Sequence, residues 1–167
     1  MVRSEGAGKS SANPETLANR YSSDLLLPNF MLGPRLKGRE VTFNTVKDLG
    51  EEFKTGLITT AIKTVGLADL PSMLISFEKN GNRRFSRSPN LPDVIWPHDE
   101  LHYETNAFSV LHGEVKEVGP LEVHSHLWIN HRDSYKYKII EHSIKTAEDT
   151  VYTTLWWKDE RQLYEIS

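Results

Sequence analysis

Leu17, Ala18, Tyr21 and Leu25 recur at the three- and four-residue spacing of one helix face within NPETLANRYSSDLLLP, residues 13–28, and that spacing predicts an amphipathic helix. Asn13 can cap it, Pro14 suits the first helical position, where no N–H is needed, and Pro28 ends it. Glu15 falls beside Ala18, Ser22 and Leu26 at the margin of the apolar face. There it can point into a site, or simply complement the helix dipole in the first turn. MLGPRLKGRE, residues 31–40, reads as a Gly-rich connector. Two further apolar stripes follow: Val46, Leu49, Gly50 and Phe53, then Leu57, Ala61, Ile62 and Val65, with Thr55 and Gly56 between them. They predict a pair of helices in the order of a helix-turn-helix, the first capped by Asn44 or Thr45.

After Pro71 the period changes from helical to alternating. SMLISFEKNGNRRFSRS reads as two strands around an Asn80-Gly81 turn of type I′. PNLPDVIWPHDEL is irregular, and ETNAFSVLHG predicts a short helix stopped by Gly113. EVKEV, LEVHSHLWI, YKYKIIEHSI and TVYTTLWW are β-branched and aromatic. Tyr135, Tyr137 and Ile139 alternate with Lys136 and Lys138, the pattern of a half-buried strand. The fold class expected is α+β: a small helical N-terminal half with a helix-turn-helix-like pair, then an antiparallel sheet of about five or six strands. In domain terms, residues 1–12 are expected to be a disordered tail, 13–70 a helical unit and 71–167 a β unit.

Composition narrows the chemistry. The chain has 167 residues, no cysteine, seven histidines, and 20 basic against 23 acidic side chains for a formal net charge of -3. Disulfides and thiolate metal sites are excluded, so a metal would need His, Asp or Glu. The charge balance predicts no global attraction to nucleic acid or to an anionic membrane. No apolar run approaches membrane-spanning length and the first dozen residues lack an apolar signal core, so the compartment expected is the cytoplasm. GAGKSS lacks the earlier glycine of a P-loop, since Arg3 occupies its place.

The histidine clusters are candidates with a defect each. HDELH puts His98 and His102 four apart, but Asp99 stands where a zinc-protease helix carries its Glu, and the flanking prolines predict a surface turn. HSH puts His124 and His126 on one strand face, as a cupin-like metal site would, yet without the later carboxylate; two imidazoles on a solvated face are the simpler reading. His112, His131 and His142 have no partners that spacing can name. For partner binding, Lys63 is the one basic residue on the second helix of the pair, and Arg83, Arg84 and Arg87, with Lys79, form a local basic patch. The first would serve DNA, the others an acidic or phosphorylated partner. Packing of two helices as a hairpin, and charges that protect an edge strand, explain the same residues without a ligand.

ETLANRYSSDLLLP resembles the distal helix of ImmA/IrrE-type zinc metallopeptidases, with its Glu, Ala-Asn, aromatic and Leu-Leu-x-Pro-like ending. LGEEFKTGLITTAIKTV is similar to the helix-turn-helix-like segment of that family, and LPSMLISFEKNGNRRFSRSPNLP and IIEHSIKTAEDTVYTTLWW are similar to the β portion of longer members. The resemblance implies a zinc metallo-endopeptidase that cleaves a transcriptional repressor. In the family two His of an HExxH helix and a Glu on the next helix hold zinc, and the Glu of HExxH is the base. Only the last ligand carries over, onto Glu15; 14 residues precede it and none is His. The chain is therefore expected to be a truncated or degenerate peptidase that holds no zinc and cleaves nothing by itself. The alternative from another class is a non-catalytic DNA-binding or regulatory module using residues 45–67.

Overall fold

The computed structural model describes residues 24–166. The expected tail, most of the opening helix and Glu15 lie outside the described residues. Residues 24–26 are helical and the chain leaves that helix before Pro28. Pro28 then begins another: α1 spans Asn29–Leu36, across the stretch expected to be a connector. Leu32 and Leu36, one turn apart, bury completely or nearly so against Leu27 and Leu49. That burial outweighs the poor helix propensities of Gly33 and the internal Pro34.

The helix pair forms as expected, with different details. α2 spans Phe43–Phe53 and is capped by Thr42, whose hydroxyl accepts from the Thr45 N–H at 3.4 Å, rather than by Asn44 or Thr45. Lys54 ends it in the left-handed region, φ 57°. The Thr55 and Thr60 hydroxyls then bond at 2.7 Å, closing the corner into α3, Leu57–Leu67. The buried face of α3 is Thr60, Ala61, Thr64 and Val65. Ile62, expected inside, is instead about half exposed. Thr60 and Thr64 replace it in the interior because each hydroxyl bonds back to a carbonyl four residues earlier, Gly56 and Thr60 respectively.

Five strands make one antiparallel sheet: β1 Ser72–Glu78, β2 Arg83–Arg87, β3 Glu117–His124, β4 Lys138–Ala147 and β5 Thr150–Trp156, in the order β2-β1-β5-β4-β3. The α+β class expected from the sequence is what the chain adopts. The hairpin sits at the expected place, but Asn80 is not left-handed. Gly81 alone is, at φ 91°, after a turn closed by its N–H to the Glu78 carbonyl. This is a turn with a glycine bulge in place of type I′. EVKEV and LEVHSHLWI merge into the single strand β3, whose register shifts between Val118 and Leu121 around a cis Gly119-Pro120 bond. The chain leaves that strand at His124 and turns through a short 3-10 helix, so the two histidines of HSH do not share a strand face. Tyr135 likewise lies in a 3-10 turn, and β4 begins only at Lys138.

Both faces of the sheet are covered. Leu74 and Trp156 pack with Val41, Phe43, Val46, Ala61 and Val65 from the helical half. Met73, Ile75, Phe77, Ile139, Val151 and Leu155 point the other way. They pack under α4, Asn106–His112, the irregular segment around Trp128, and Leu163 of α5, Arg161–Ile166. α4 is the short helix expected before Gly113. No helix among the described residues is long and apolar enough to cross a membrane.

Gly119 is held at φ 109°, and a Cβ there would stand 2.4 Å from the Glu141 carbonyl oxygen. Gly119→Ala is expected to cost about 1–3 kcal/mol, read as a lower urea midpoint. Gly66→Ala, in α3 with open space around the new methyl, is expected to add up to about 1 kcal/mol. A neutral Gly119 variant would contradict the geometry described.

Candidate functional site

Two neighbouring residues of β4 are the fully buried ionisable side chains among the described residues. Glu141 and His142 are both 0% exposed. Successive strand residues point to opposite faces, so each lies under a different helical layer.

Glu141 faces α4. Its Oε1 accepts the Ala107 backbone N–H at 2.8 Å, in the first turn of that helix, and the Ser143 hydroxyl at 3.0 Å; its Oε2 accepts from the Asn106 amide at 3.3 Å. Ser143 in turn bonds the Thr153 hydroxyl at 2.8 Å. The Trp128 indole N–H faces the same carboxyl but completes no hydrogen bond. Burial pushes the Glu141 pKa above its ordinary value, and the nearby Trp128 N–H and the hydrogen bonds from Ala107, Ser143 and Asn106 only partly oppose this.

His142 faces the helix pair. Its Nδ1 accepts the Phe43 backbone N–H at 3.1 Å, the first residue of α2, and the two rings meet edge to face at 5.4 Å. An amide can only donate, so Nδ1 carries no proton and Nε2 does. Nε2 donates to Glu117 Oε1 of β3 at 2.8 Å. Lys47 of α2 closes the chain, with Nζ 2.9 and 2.8 Å from the two Glu117 oxygens. Burial lowers the His142 pKa, against the pull of Glu117. At Glu117 burial raises the pKa, but the hydrogen bonds from Lys47 and His142 prevail and hold it below the ordinary value. Lys47 and Glu117 are each more than a third exposed, so water screens their attraction.

The residues singled out from the sequence fare differently. Glu15 lies outside the described residues. Lys63 is paired with Asp24 and lies 3.1 Å from the Asn29 side-chain oxygen. Arg83 donates to the Pro97 and His98 carbonyls, pairs with Asp99 and stacks on Phe85. Arg87 donates to the Pro92 carbonyl and stacks on Trp96. Strand register separates Arg84 from these two: it pairs with Ser76 and so shares the helical face, whereas Arg83 and Arg87 pair with Phe77 and Met73 on the other. The Arg84 side chain is exposed and makes no hydrogen bond or ion pair with any described residue. HDELH is a surface turn, as expected. His98 Nε2 bonds the His126 carbonyl at 2.8 Å, and His102 Nδ1 accepts the Glu104 N–H at 3.1 Å. His124 and His126 are exposed with ring centres 5.7 Å apart. Among the described residues no three His, Asp or Glu side chains converge as a metal-binding group. No family model matches the chain, and neither does any curated protein.

Sequence reasoning passed over Glu141, Glu117 and Lys47, and named no partner for His142. The signal was there: IIEHSI sets a Glu-His pair inside an apolar run. Reading the sheet as solvated on one face left one of the two in water. With helices on both faces, each must find a buried partner.

His142 gives a pH dependence of known sign. Its folded pKa is depressed below 6.5. The unfolded chain therefore binds the proton first, and the stability His142 confers is complete above pH 6.5 and is lost as pH falls through the folded value. Glu141 acts oppositely: its folded pKa is raised above 4.5, so its contribution falls as pH rises through the folded value. His142→Gln is expected to cost about 1–3 kcal/mol at neutral pH. Urea midpoints at pH 7.5, 6.0 and 5.0 should fall more steeply for the parent than for this variant. Parallel slopes would sink the assignment.

Proposed function

We propose that the described part of this chain is a non-catalytic recognition module, the regulatory portion of an ImmA/IrrE-type protein, and that the chain does not hydrolyse peptide bonds by itself. The observation that carries this reading is the use made of the buried ionisable residues. Glu141 and His142 are spent on helix N-termini, as a rigid scaffold uses them. The imidazoles of His98 and His102 are engaged with backbone groups, the His126 carbonyl and the Glu104 N–H respectively. Zinc, the cofactor of the resembled family, would have Glu15 as its one carried-over ligand, and a lone carboxylate holds zinc poorly. On this reading the partner is a transcriptional repressor and the compartment is the cytoplasm.

A DNA-binding role for residues 45–67 draws less support. Lys63 is the only cation on α3, and it is held by Asp24 and Asn29. The outward positions Thr59, Ile62 and Gly66 carry no charge. Sequence-independent attraction to a duplex grows with the number of phosphates neutralised, and this helix offers almost none.

The test is direct. Full-length chain supplied with zinc is incubated with a purified transcriptional repressor and with a fluorogenic casein. Neither is expected to be cleaved, while the repressor is expected to be retained on the immobilised chain. Cleavage abolished by a chelator would refute the non-catalytic reading. A gel shift of duplex DNA at low salt, lost in Lys63→Ala, would favour the DNA reading instead.

A further inference from the structure

We propose that the groove between α3 and the outer strands of the sheet binds an acidic–apolar peptide segment of a partner protein. Arg84 takes the carboxylate, and Ile58 and Ile62 take the neighbouring apolar side chain. The inference deepens the recognition reading above, and rests on it for the partner being a protein.

The groove has a volume of about 280 Å³ and is lined chiefly by Ile58, Ile62, Leu74, Ser76, Arg84 and Tyr152. It lies where α3 passes over the β1–β2 hairpin. Ile62 stands 48% exposed at its rim, although the helical period predicts it inside. Among the described residues, Arg84 is the cation of the basic hairpin whose side chain makes no hydrogen bond or ion pair. Lys79 lies 3.8 Å from Asp149, while Arg83 and Arg87 are committed to the Pro-rich loop on the opposite face. Strand parity thus sends two arginines to structural work and leaves the third over an apolar groove.

The chemistry of the occupant follows from charge and size. A guanidinium offers paired N–H donors that match one carboxylate, and apolar walls strengthen that attraction by displacing water. A phosphate carries nearly twice the charge and is ordinarily met by several cations; this groove has one. The volume sits at the lower edge of the range of about 300–1,000 Å³ typical of small-molecule and cofactor sites. One or two aliphatic side chains fit it, and it is open to solvent. A segment with Leu or Ile next to Asp or Glu satisfies each feature.

The experiment uses the full-length, isotope-labelled chain and the probe acetyl-Ser-Leu-Asp-Ile-Ser-amide, followed by amide chemical shifts. Shifts are expected at Ile58, Ile62, Ser76 and Arg84. Arg84→Gln should weaken binding about tenfold, and added salt should weaken it as well. Replacing the peptide Asp by Asn should have the same effect as Arg84→Gln, and Ile62→Ser should weaken binding several-fold. Both protein substitutions lie at exposed positions, so the remaining spectrum should keep its dispersion. Absence of shifts at millimolar peptide, or equal binding by Arg84→Gln, would overturn the proposal. So would Arg84-dependent binding of a phosphoserine peptide or of hexanoate without binding of the Asp peptide. A repressor held equally by parent and Arg84→Gln overturns this inference and leaves the recognition reading standing. Arg84-dependent peptide binding without any repressor binding supports the groove and removes the repressor.

Discussion

A backbone N–H buried at the start of a helix has no partner within that helix, and leaving it bare costs on the order of 1–3 kcal/mol. This chain buries two such starts against opposite faces of one sheet, and meets both with consecutive residues of β4. Glu141 receives α4 and His142 receives α2. Each bond is specific in place and direction, as apolar contact is not. The pair therefore fixes where both helical layers sit, and the apolar clusters on either face fill in around that choice.

The two anchors differ in electrical character. The carboxyl of Glu141 is sealed among neutral donors, and its burial favours the protonated form. The ring of His142 is neutral because its Nδ1 must accept, and its other nitrogen passes the interaction outward to Glu117 and Lys47 at the surface. The helical half and β3 are thereby joined through a chain of hydrogen bonds with one end in solvent. Salt and pH reach the α2 anchor by that route. The α4 anchor, closed off under Trp128 and Ser143, is reached only through its own proton.

The same parity that separates Glu141 from His142 separates the arginines of β2. Arg83 and Arg87 stack on Phe85 and Trp96 and hold the Pro-rich loop to the sheet by its carbonyls. Arg84 shares its face with α3. A cluster that is continuous in sequence is divided between two faces, one tied to the Pro-rich loop and one exposed beside α3.

Much of the architecture could be read from the chain. Apolar spacing predicted α2, α3 and α4; the change of period after Pro71 predicted the sheet; and Asn80-Gly81 marked the hairpin, because these are local preferences that any surroundings must respect. The α1 helix was not legible, because Gly33 and Pro34 argue against it and only the burial of Leu32 and Leu36 outweighs them. The roles of Glu141 and His142 were not legible either, nor was the separation of Arg84 from Arg83 and Arg87. The sequence puts an acid, an imidazole and a guanidinium on strands, but what each one meets depends on which layers cover which face. That depends on contacts between residues as far apart as Phe43 and His142, which no local pattern encodes.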